Sequence, residues 1–305
     1  MVSVEECGLM LEPQLGMSVE EIITWAKYAE KSGYGYVMRS DHLLPTGRVD
    51  REINSPECWA SLGAIGSNTT RIKFGPLVSP IGWRNPALLA RTANTLHTSS
   101  AGRLVLGIGG GWSQREYLEY GYEFPRFRTR IEQLVEAAKI IRPLTQGKKV
   151  DFKGKHYSAH TSLPATKGPI HLIIGGRNKQ VVRIAGEFAD EWNMFSPTIE
   201  SFRKAKDSLP AAGGNIVISW MSPFVLGDNA SDIQRSLSYV SKLEGRNLSL
   251  DELRKRGVPC GRKDEFIEQL KLFKEAGVQR FYFDILDPKD KQMIELLTDT
   301  LGKAF

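Results

Sequence analysis

Two adjacent titratable residues stand directly after an apolar segment near the start of the chain. Asp41 and His42 follow the strand predicted over residues 34–39. A histidine can donate or accept a proton near neutral pH, and a carboxylate beside it can tune that exchange. The pair therefore indicates an acid–base site, although an exposed pair that caps the next segment would have the same sequence.

Glycine-rich turns follow two other apolar runs. Their residues are Gly109, Gly110, Gly111 and Trp112 in the first turn, and Gly175, Gly176, Arg177 and Asn178 in the second. Consecutive glycines let a ligand approach the backbone closely, and a tryptophan offers a flat apolar wall. Amides at a helix start, with an arginine beside them, can bind phosphate. Together the turns fit a flat-ringed cofactor that carries phosphate, while plain turns remain the alternative. The first turn matches neither the P-loop nor the GxGxxG fingerprint.

Strand-like and helical patterns alternate along the whole chain and predict eight β–α units. The predicted strands cover residues 4–11, 34–39, 71–78, 103–108, 170–174, 191–195, 216–226 and 280–286. Eight repeats favour an α/β fold of the closed (β/α)8 TIM-barrel type over an open doubly wound sheet. We therefore expect residues 1–305 to form a single domain, with insertions after strands four and seven. In such a barrel, catalytic groups stand at the carboxyl ends of the strands, where these motifs fall.

The composition argues against several other classes of function. The net charge is +6, but the 41 basic and 35 acidic residues are interleaved, and no nucleic-acid-binding signature is present. Three widely spaced cysteines argue against a disulfide framework, and no spacing suggests a metal site. No apolar run reaches the ~18 residues of a membrane span. We expect no nucleic-acid partner, no membrane partner, no metal and a cytoplasmic location.

Several segments, in this order and spacing, resemble the luciferase-like flavin oxidoreductases, a superfamily of (β/α)8 barrels. They are SDHLLP (40–45), TRIKFGPLVSP (70–80), NPALLARTANTLHTSSAGRLVLGIGGGW (85–112), EYLEYGYEFP (116–125), IHLIIGG (170–176), FADEWN (188–193) and VPCGRKDEFIEQLKLFKEAGV (258–278). The superfamily includes FMN-dependent monooxygenases and oxidoreductases that use coenzyme F420, a 5-deazaflavin. The resemblance covers nearly the whole chain and is nearest to the F420-dependent branch.

The resemblance implies roles for individual residues. His42, with Asp41, matches a pair that lies beside the reactive carbon of the deazaflavin ring. Gly175 and Gly176 match a phosphate-binding turn. Relatives that oxidise sugar phosphates carry a catalytic glutamate directly after the strand-four glycines, where this chain has Trp112. That difference argues against a sugar phosphate as the substrate.

The third predicted strand matches a bulge behind the central ring of the cofactor. Relatives carry a non-prolyl cis peptide bond there, and such bonds are rare. We expect the cis bond between Pro76 and Leu77, or within one residue of that position.

The sequence thus predicts an oxidoreductase that moves a hydride between F420 and a small organic substrate. One alternative is an FMN-dependent monooxygenase that uses reduced flavin and oxygen. Another is a non-catalytic flavin-binding relative. Relatives also suggest a homodimer formed through the helices beside strands two to four.

Overall fold

The computed structural model describes residues 3–45, 55–164, 168–210 and 216–304. Nine parallel strands form one sheet in the order β3-β2-β1-β13-β10-β9-β8-β5-β4. The strands are β1 (Cys7–Leu11), β2 (Tyr36–Arg39), β3 (Lys73–Pro76), β4 (Ser79–Pro80), β5 (Val105–Gly109), β8 (His171–Gly175), β9 (Glu191–Phe195), β10 (Val217–Pro223) and β13 (Arg280–Ile285). The strand order follows the chain around the sheet, as the predicted barrel requires.

The third predicted strand is divided into two short strands. β3 pairs with β2, whereas β4 pairs with β5. A bridge between Phe74 and Leu104 brings β3 against the start of β5, so the barrel nearly closes. The peptide bond between Leu77 and Val78, which lies in the break, is cis. The predicted cis bond is therefore confirmed within its margin of one residue, but Pro76–Leu77 itself is not the cis bond.

Eleven helices are present in the described residues, and most of them cover the outside of the barrel. They are α1 (Val19–Lys31), α2 (Cys58–Asn68), α3 (Pro86–Ser99), α4 (Gln114–Glu119), α5 (Phe127–Thr145), α6 (Lys179–Phe188), α7 (Ile199–Lys206), α8 (Ala230–Glu244), α9 (Leu250–Lys255), α10 (Lys263–Glu275) and α11 (Lys291–Ala304). A capping box fixes the start of α1: the Ser18 hydroxyl accepts from the Glu21 N–H, and the Glu21 carboxylate accepts from the Ser18 N–H. The short helix α4 is not predicted by the sequence, and it proves important for the site.

Two insertions interrupt the alternation, as predicted. After α5, β6 (Val150–Lys153) and β7 (Ser158–Thr161) form an antiparallel hairpin. The strand predicted over residues 216–226 ends at Pro223, and β11 (Val225–Leu226) pairs instead with β12 (Cys260–Gly261). Helices α8 and α9 lie between β11 and β12 and belong to the second insertion.

The interior of the barrel is filled by side chains from alternate strand positions. They are Met10, Tyr36, Met38, Leu77, Val105, Ile173, Met221 and Tyr282, with Val78 partly buried against them. Below them, at the amino-terminal end of the strands, the buried Glu191 carboxylate accepts hydrogen bonds from the Tyr282 hydroxyl (3.0 Å), from His171 Nε2 (2.9 Å) and from Arg280. Because the lower end of the barrel is packed, a ligand must enter at the carboxyl ends of the strands.

Candidate active site

His42 lies at the barrel mouth, just after β2, and its partner comes from α4. His42 Nδ1 is 3.0 Å from each carboxylate oxygen of Glu116. Glu116 is only 2% exposed, and its Oε1 also accepts the backbone N–H groups of Leu43 (2.6 Å) and Leu44 (3.2 Å). The buried carboxylate therefore fixes both the histidine ring and the turn that carries it.

The electrostatics of this pair favour a charged histidine. Burial alone would lower the pKa of His42, but the hydrogen bond that His42 donates to Glu116 and the negative charge of Glu116 outweigh burial and raise that pKa above 6.5. Burial would raise the pKa of Glu116, yet the His42 interaction and the Leu43 N–H lower it. Since Nδ1 faces the carboxylate, Nε2 is the nitrogen left to exchange a proton with a ligand.

Asp41 does not pair with His42, contrary to what its adjacent position suggested. Its carboxylate accepts the Ser79 hydroxyl (2.6 Å) and both Arg84 Nε (3.2 Å) and Arg84 Nη2 (3.0 Å). Arg84 also bonds Glu57 (2.7 Å). Consecutive residues project to different sides of an extended segment, so Asp41 points at β4 while His42 points at α4. Asp41 thus anchors the second half of the broken strand.

Some of the glycines predicted to bind a cofactor make room for Val78. A Cβ atom at Gly109 would lie 2.6 Å from Val78 Cγ2, and one at Gly175 would lie 3.0 Å from Val78 Cγ1. At Gly107 a Cβ would lie 3.0 Å from Val78 Cγ1. These three glycines therefore accommodate the side chain that follows the cis bond, which is a structural role.

The rest of the first turn is open at Gly110 but not at Gly111, where an added Cβ atom would collide with the Tyr117 hydroxyl. A Cβ atom at Gly110 would have no neighbour nearer than the Arg130 carbonyl oxygen, 3.9 Å away. Gly111 has φ +72°, a conformation that suits glycine. Trp112 is 68% exposed, and its ring meets the His42 ring edge-on at 5.6 Å. A flat ligand can therefore approach the backbone beside His42.

The second turn combines structural and exposed groups. The Gly176 N–H donates to the Asn193 carbonyl (2.9 Å), and Asn178 Oδ1 caps α6 by accepting the Gln180 N–H (2.9 Å). Arg177 is exposed, and no ion pair in the described part of the chain engages its guanidinium. Of the predicted phosphate-binding residues, Arg177 and the start of α6 are thus the groups open to an anion.

Gly109 offers a direct test of the packing beneath the site. We expect Gly109→Ala to destabilise the protein by about 1–3 kcal/mol, because the added methyl group overpacks Val78. Gly110→Ala is the matched control, since the same atom has open space one residue later. Urea unfolding measures both, and the second change Val78→Ala should restore much of the loss. Equal stability of the two alanine variants would contradict this packing.

Sequence reasoning missed two residues of the mouth. Glu116 lies four residues beyond Trp112, which occupies the position of the catalytic glutamate in relatives that oxidise sugar phosphates. Helix α4 places the Glu116 carboxylate beside His42. Phe195, the last residue of β9, is 51% exposed. The signal available in the sequence was an aromatic residue at the last position of the strand predicted over residues 191–195.

The described residues contain neither a metal-type cluster of side chains nor a membrane-spanning helix. Among residues 3–45, 55–164, 168–210 and 216–304, no group of three or more His, Cys, Asp or Glu side chains is arranged to hold a metal ion. Within the same ranges, no helix is both long and apolar enough to span a bilayer.

Comparison with known proteins fits this geometry. The chain is 26% identical over 298 residues to the F420-dependent glucose-6-phosphate dehydrogenase of Amycolatopsis mediterranei (strain U-32), covering 86% of this chain and 87% of that protein. The fold superposes on an F420-dependent secondary alcohol dehydrogenase in complex with an F420-acetone adduct, with TM-score 0.80, 20% identity and coverage of 100% and 99% of the two chains. It also superposes on the EDTA monooxygenase from Chelativorans sp. BNC1, with TM-score 0.77, 14% identity and coverage of 97% and 92%. The family profile described as Luciferase-like monooxygenase matches residues 4–238. The chain therefore belongs to the luciferase-like monooxygenase family.

Proposed function

We propose that this protein is an F420-dependent oxidoreductase that moves a hydride between the cofactor and a small organic substrate. The observation that carries the proposal is the His42–Glu116 pair, a proton-handling group held at the mouth of a barrel whose relatives include F420-dependent dehydrogenases. Hydride transfer to or from a carbon that bears oxygen also moves a proton, and His42, held by Glu116, can donate or accept that proton.

The residues at the mouth fit F420. The open backbone at Gly110 and the flat ring of Trp112 suit a planar ring system placed beside His42. Arg177 and the start of α6 would bind the phosphate, and the net charge of +6 favours an anionic tail. F420 would supply the hydride chemistry, and the protein would supply position and charge.

Each residue of the pair then has a defined task. His42 would hold a proton on Nε2, and would donate it to, or take it from, the substrate oxygen. Glu116 would keep the ring oriented and would favour its charged form. Trp112 and Phe195, exposed at two strand ends, would pack on the bound molecules and exclude water.

An anaerobic assay tests this proposal. The purified protein is mixed with F420 and with either 2-propanol or glucose 6-phosphate, which represent the two kinds of alcohol suggested by the relatives. Loss of the oxidised-cofactor absorbance with either compound supports the proposal. In a separate aerobic assay, oxygen consumption faster than that of reduced FMN alone, together with no reaction with F420, would instead support the alternative of an FMN-dependent monooxygenase, which the family description and the EDTA monooxygenase fold favour.

The proposal also covers the domain organisation, the oligomeric state and the cellular location. We propose that residues 1–305 form one domain, because one hydrophobic cluster joins side chains from β1 to α11. We propose a homodimer through the helices beside strands two to four, since Leu88 on α3 is 62% exposed. A cytoplasmic location is consistent with Cys7, Cys58 and Cys260, which are all free thiols.

A further inference from the structure

Two acidic side chains, Glu12 and Asp284, lie at the mouth, at the ends of β1 and β13. Along β13 the side chain of Tyr282 points into the barrel and that of Phe283 packs outside, so Asp284 points inward again. Glu12 follows β1 directly, and Asp284 lies beside Met10 of that strand. Asp284 is 4% exposed and Glu12 is 9% exposed. Two carboxyl groups are thus buried together on the inner face.

The contacts around the pair indicate which of the two carboxyl groups carries a proton. The Ser40 hydroxyl donates to Gln14 Oε1 (2.6 Å), which turns the Gln14 amide N–H toward Glu12 Oε2. Two carboxyl groups that are buried together disfavour a second negative charge, so the pair is expected to keep one proton. Because Gln14 donates to Glu12, the proton is best placed on Asp284.

One oxygen of Asp284 remains open. Asp284 Oδ1 is buried, and no hydrogen bond from the described residues reaches it. A buried acceptor without a donor is costly, and native proteins rarely leave one without a ligand or water. Its place, at the carboxyl end of a barrel strand, is where a substrate group would meet it.

The charges nearby oppose ionisation of Asp284. Burial, together with the negative charge of Glu12, raises the pKa of Asp284 well above its ordinary value. Among the described residues, the other charged or titratable groups of the mouth include Asp41 with its partner Arg84, His42 after β2, and Glu116 on α4; the neighbour of Asp284 on β10 is Pro223. Among the described residues, no lysine or arginine forms an ion pair with Glu12 or Asp284.

We propose that Asp284 is a specificity-determining residue that shares one proton with Glu12 and presents Oδ1 to a second hydroxyl group of an uncharged substrate, beside the hydroxyl group whose proton is exchanged with His42. The inference rests on the proposed function, since the substrate is the one whose hydride is exchanged with F420. An anionic substrate group at this place would face the Glu12 carboxylate, and no lysine or arginine among the described residues is paired with that carboxylate to offset the repulsion. The pair therefore selects a neutral alcohol over a phosphorylated one.

Two substitutions of similar size separate this role from a structural one. In Asp284→Asn the amide N–H can donate to Glu12 and the amide oxygen can replace Oδ1, so the variant mimics protonated aspartate. In Asp284→Leu both functions are lost. With 1,2-propanediol, a neutral alcohol with a second hydroxyl group, as substrate at pH 7, we expect KM to stay near the wild-type value in Asp284→Asn and to rise about three- to tenfold in Asp284→Leu.

The pH profile gives the same separation. As pH rises through the raised pKa of Asp284, the wild type should gain affinity for 1,2-propanediol, because a carboxylate accepts a hydrogen bond more strongly than a protonated carboxyl group, whereas Asp284→Asn should show no change through this group. Effects of His42, Asp41 and Glu116 are common to both proteins and cancel in the comparison.

Infrared spectroscopy tests the shared proton without any cofactor or substrate. At pH 7 the wild type should show the carbonyl stretch of a protonated carboxyl group, and both Asp284 variants should lack it. Asp190→Asn is the control that should retain it, because Arg142 bonds both Asp190 oxygens (2.7 Å each) and keeps that carboxyl ionised. A missing band in the wild type, or an unchanged KM in Asp284→Leu, would overturn the inference. A band present in a protein that binds no F420 would support the shared proton and refute the proposed function.

Discussion

Replacement of His42 by alanine should lower the turnover number by about 10²–10⁴, the usual effect of removing a general acid or base. The affinity for the cofactor should change far less, because Gly110, Trp112 and Arg177 hold it in our proposal. Turnover and binding should therefore separate in this variant.

Both quantities are measured in one preparation, by single-turnover kinetics and by cofactor titration. His160→Ala is the matched control, since that imidazole is 63% exposed on the β6–β7 hairpin. Unchanged turnover in His42→Ala would make His42 a surface residue without a chemical role. Lost binding with normal turnover at saturation would make it a cofactor clamp instead.

Glu116→Gln should shift the pH dependence of the reaction toward acid. The substitution removes the negative charge that raises the pKa of His42, and burial, which lowers that pKa, then dominates. A fall of about one in this pKa reduces the charged fraction of His42 about tenfold at higher pH. The rate limb that depends on charged His42 should therefore end at a lower pH than in the wild type.

The same substitution has a stability signature with a defined sign. His42 has a raised pKa, so its contribution to folding is full below 6.5 and is lost as pH rises through the folded-state pKa. Glu116 has a lowered pKa, so its contribution is present above 4.5 and is lost as pH falls through the folded-state pKa. Both contributions are full between pH 4.5 and pH 6.5, so the difference in unfolding free energy between wild type and Glu116→Gln should be largest in that window.

Urea unfolding from pH 4 to pH 9 measures this difference. Glu119→Gln is the control, because Glu119 lies on the same helix, α4, and is 43% exposed in an ion pair with Arg115. Exposed pairs of this kind contribute about 0–1 kcal/mol, so the control should show little pH dependence. A flat difference for Glu116→Gln would mean that the two residues are not coupled.

Much of the fold follows from local sequence patterns. The buried run of β5 and the capped, amphipathic α1 are typical of elements whose residues specify them nearly alone. The break between β3 and β4 is different, because Val78 can lie there only if Gly107, Gly109 and Gly175 are small. Those glycines come from neighbouring strands, so no local pattern predicts the break.

The site was predicted less completely for the same reason. His42 was found because its residue type and its place after a strand are both visible in sequence. Its partner Glu116 and the pairing of Asp41 with Arg84 depend on contacts between residues 74 and 43 positions apart. Asp284 is a further example, since an acid inside the run RFYFDI is unusual but acquires a meaning only when β13 lies beside β1.

Equilibrium titration of the purified protein with F420 and, separately, with FMN, each followed by fluorescence, tests the proposed function most directly. We expect F420 to bind more tightly than FMN, because the mouth combines His42, an open glycine turn and an anion-binding helix start in a protein of net charge +6. FMN binding at about micromolar Kd or better, without binding of F420, would contradict the proposal.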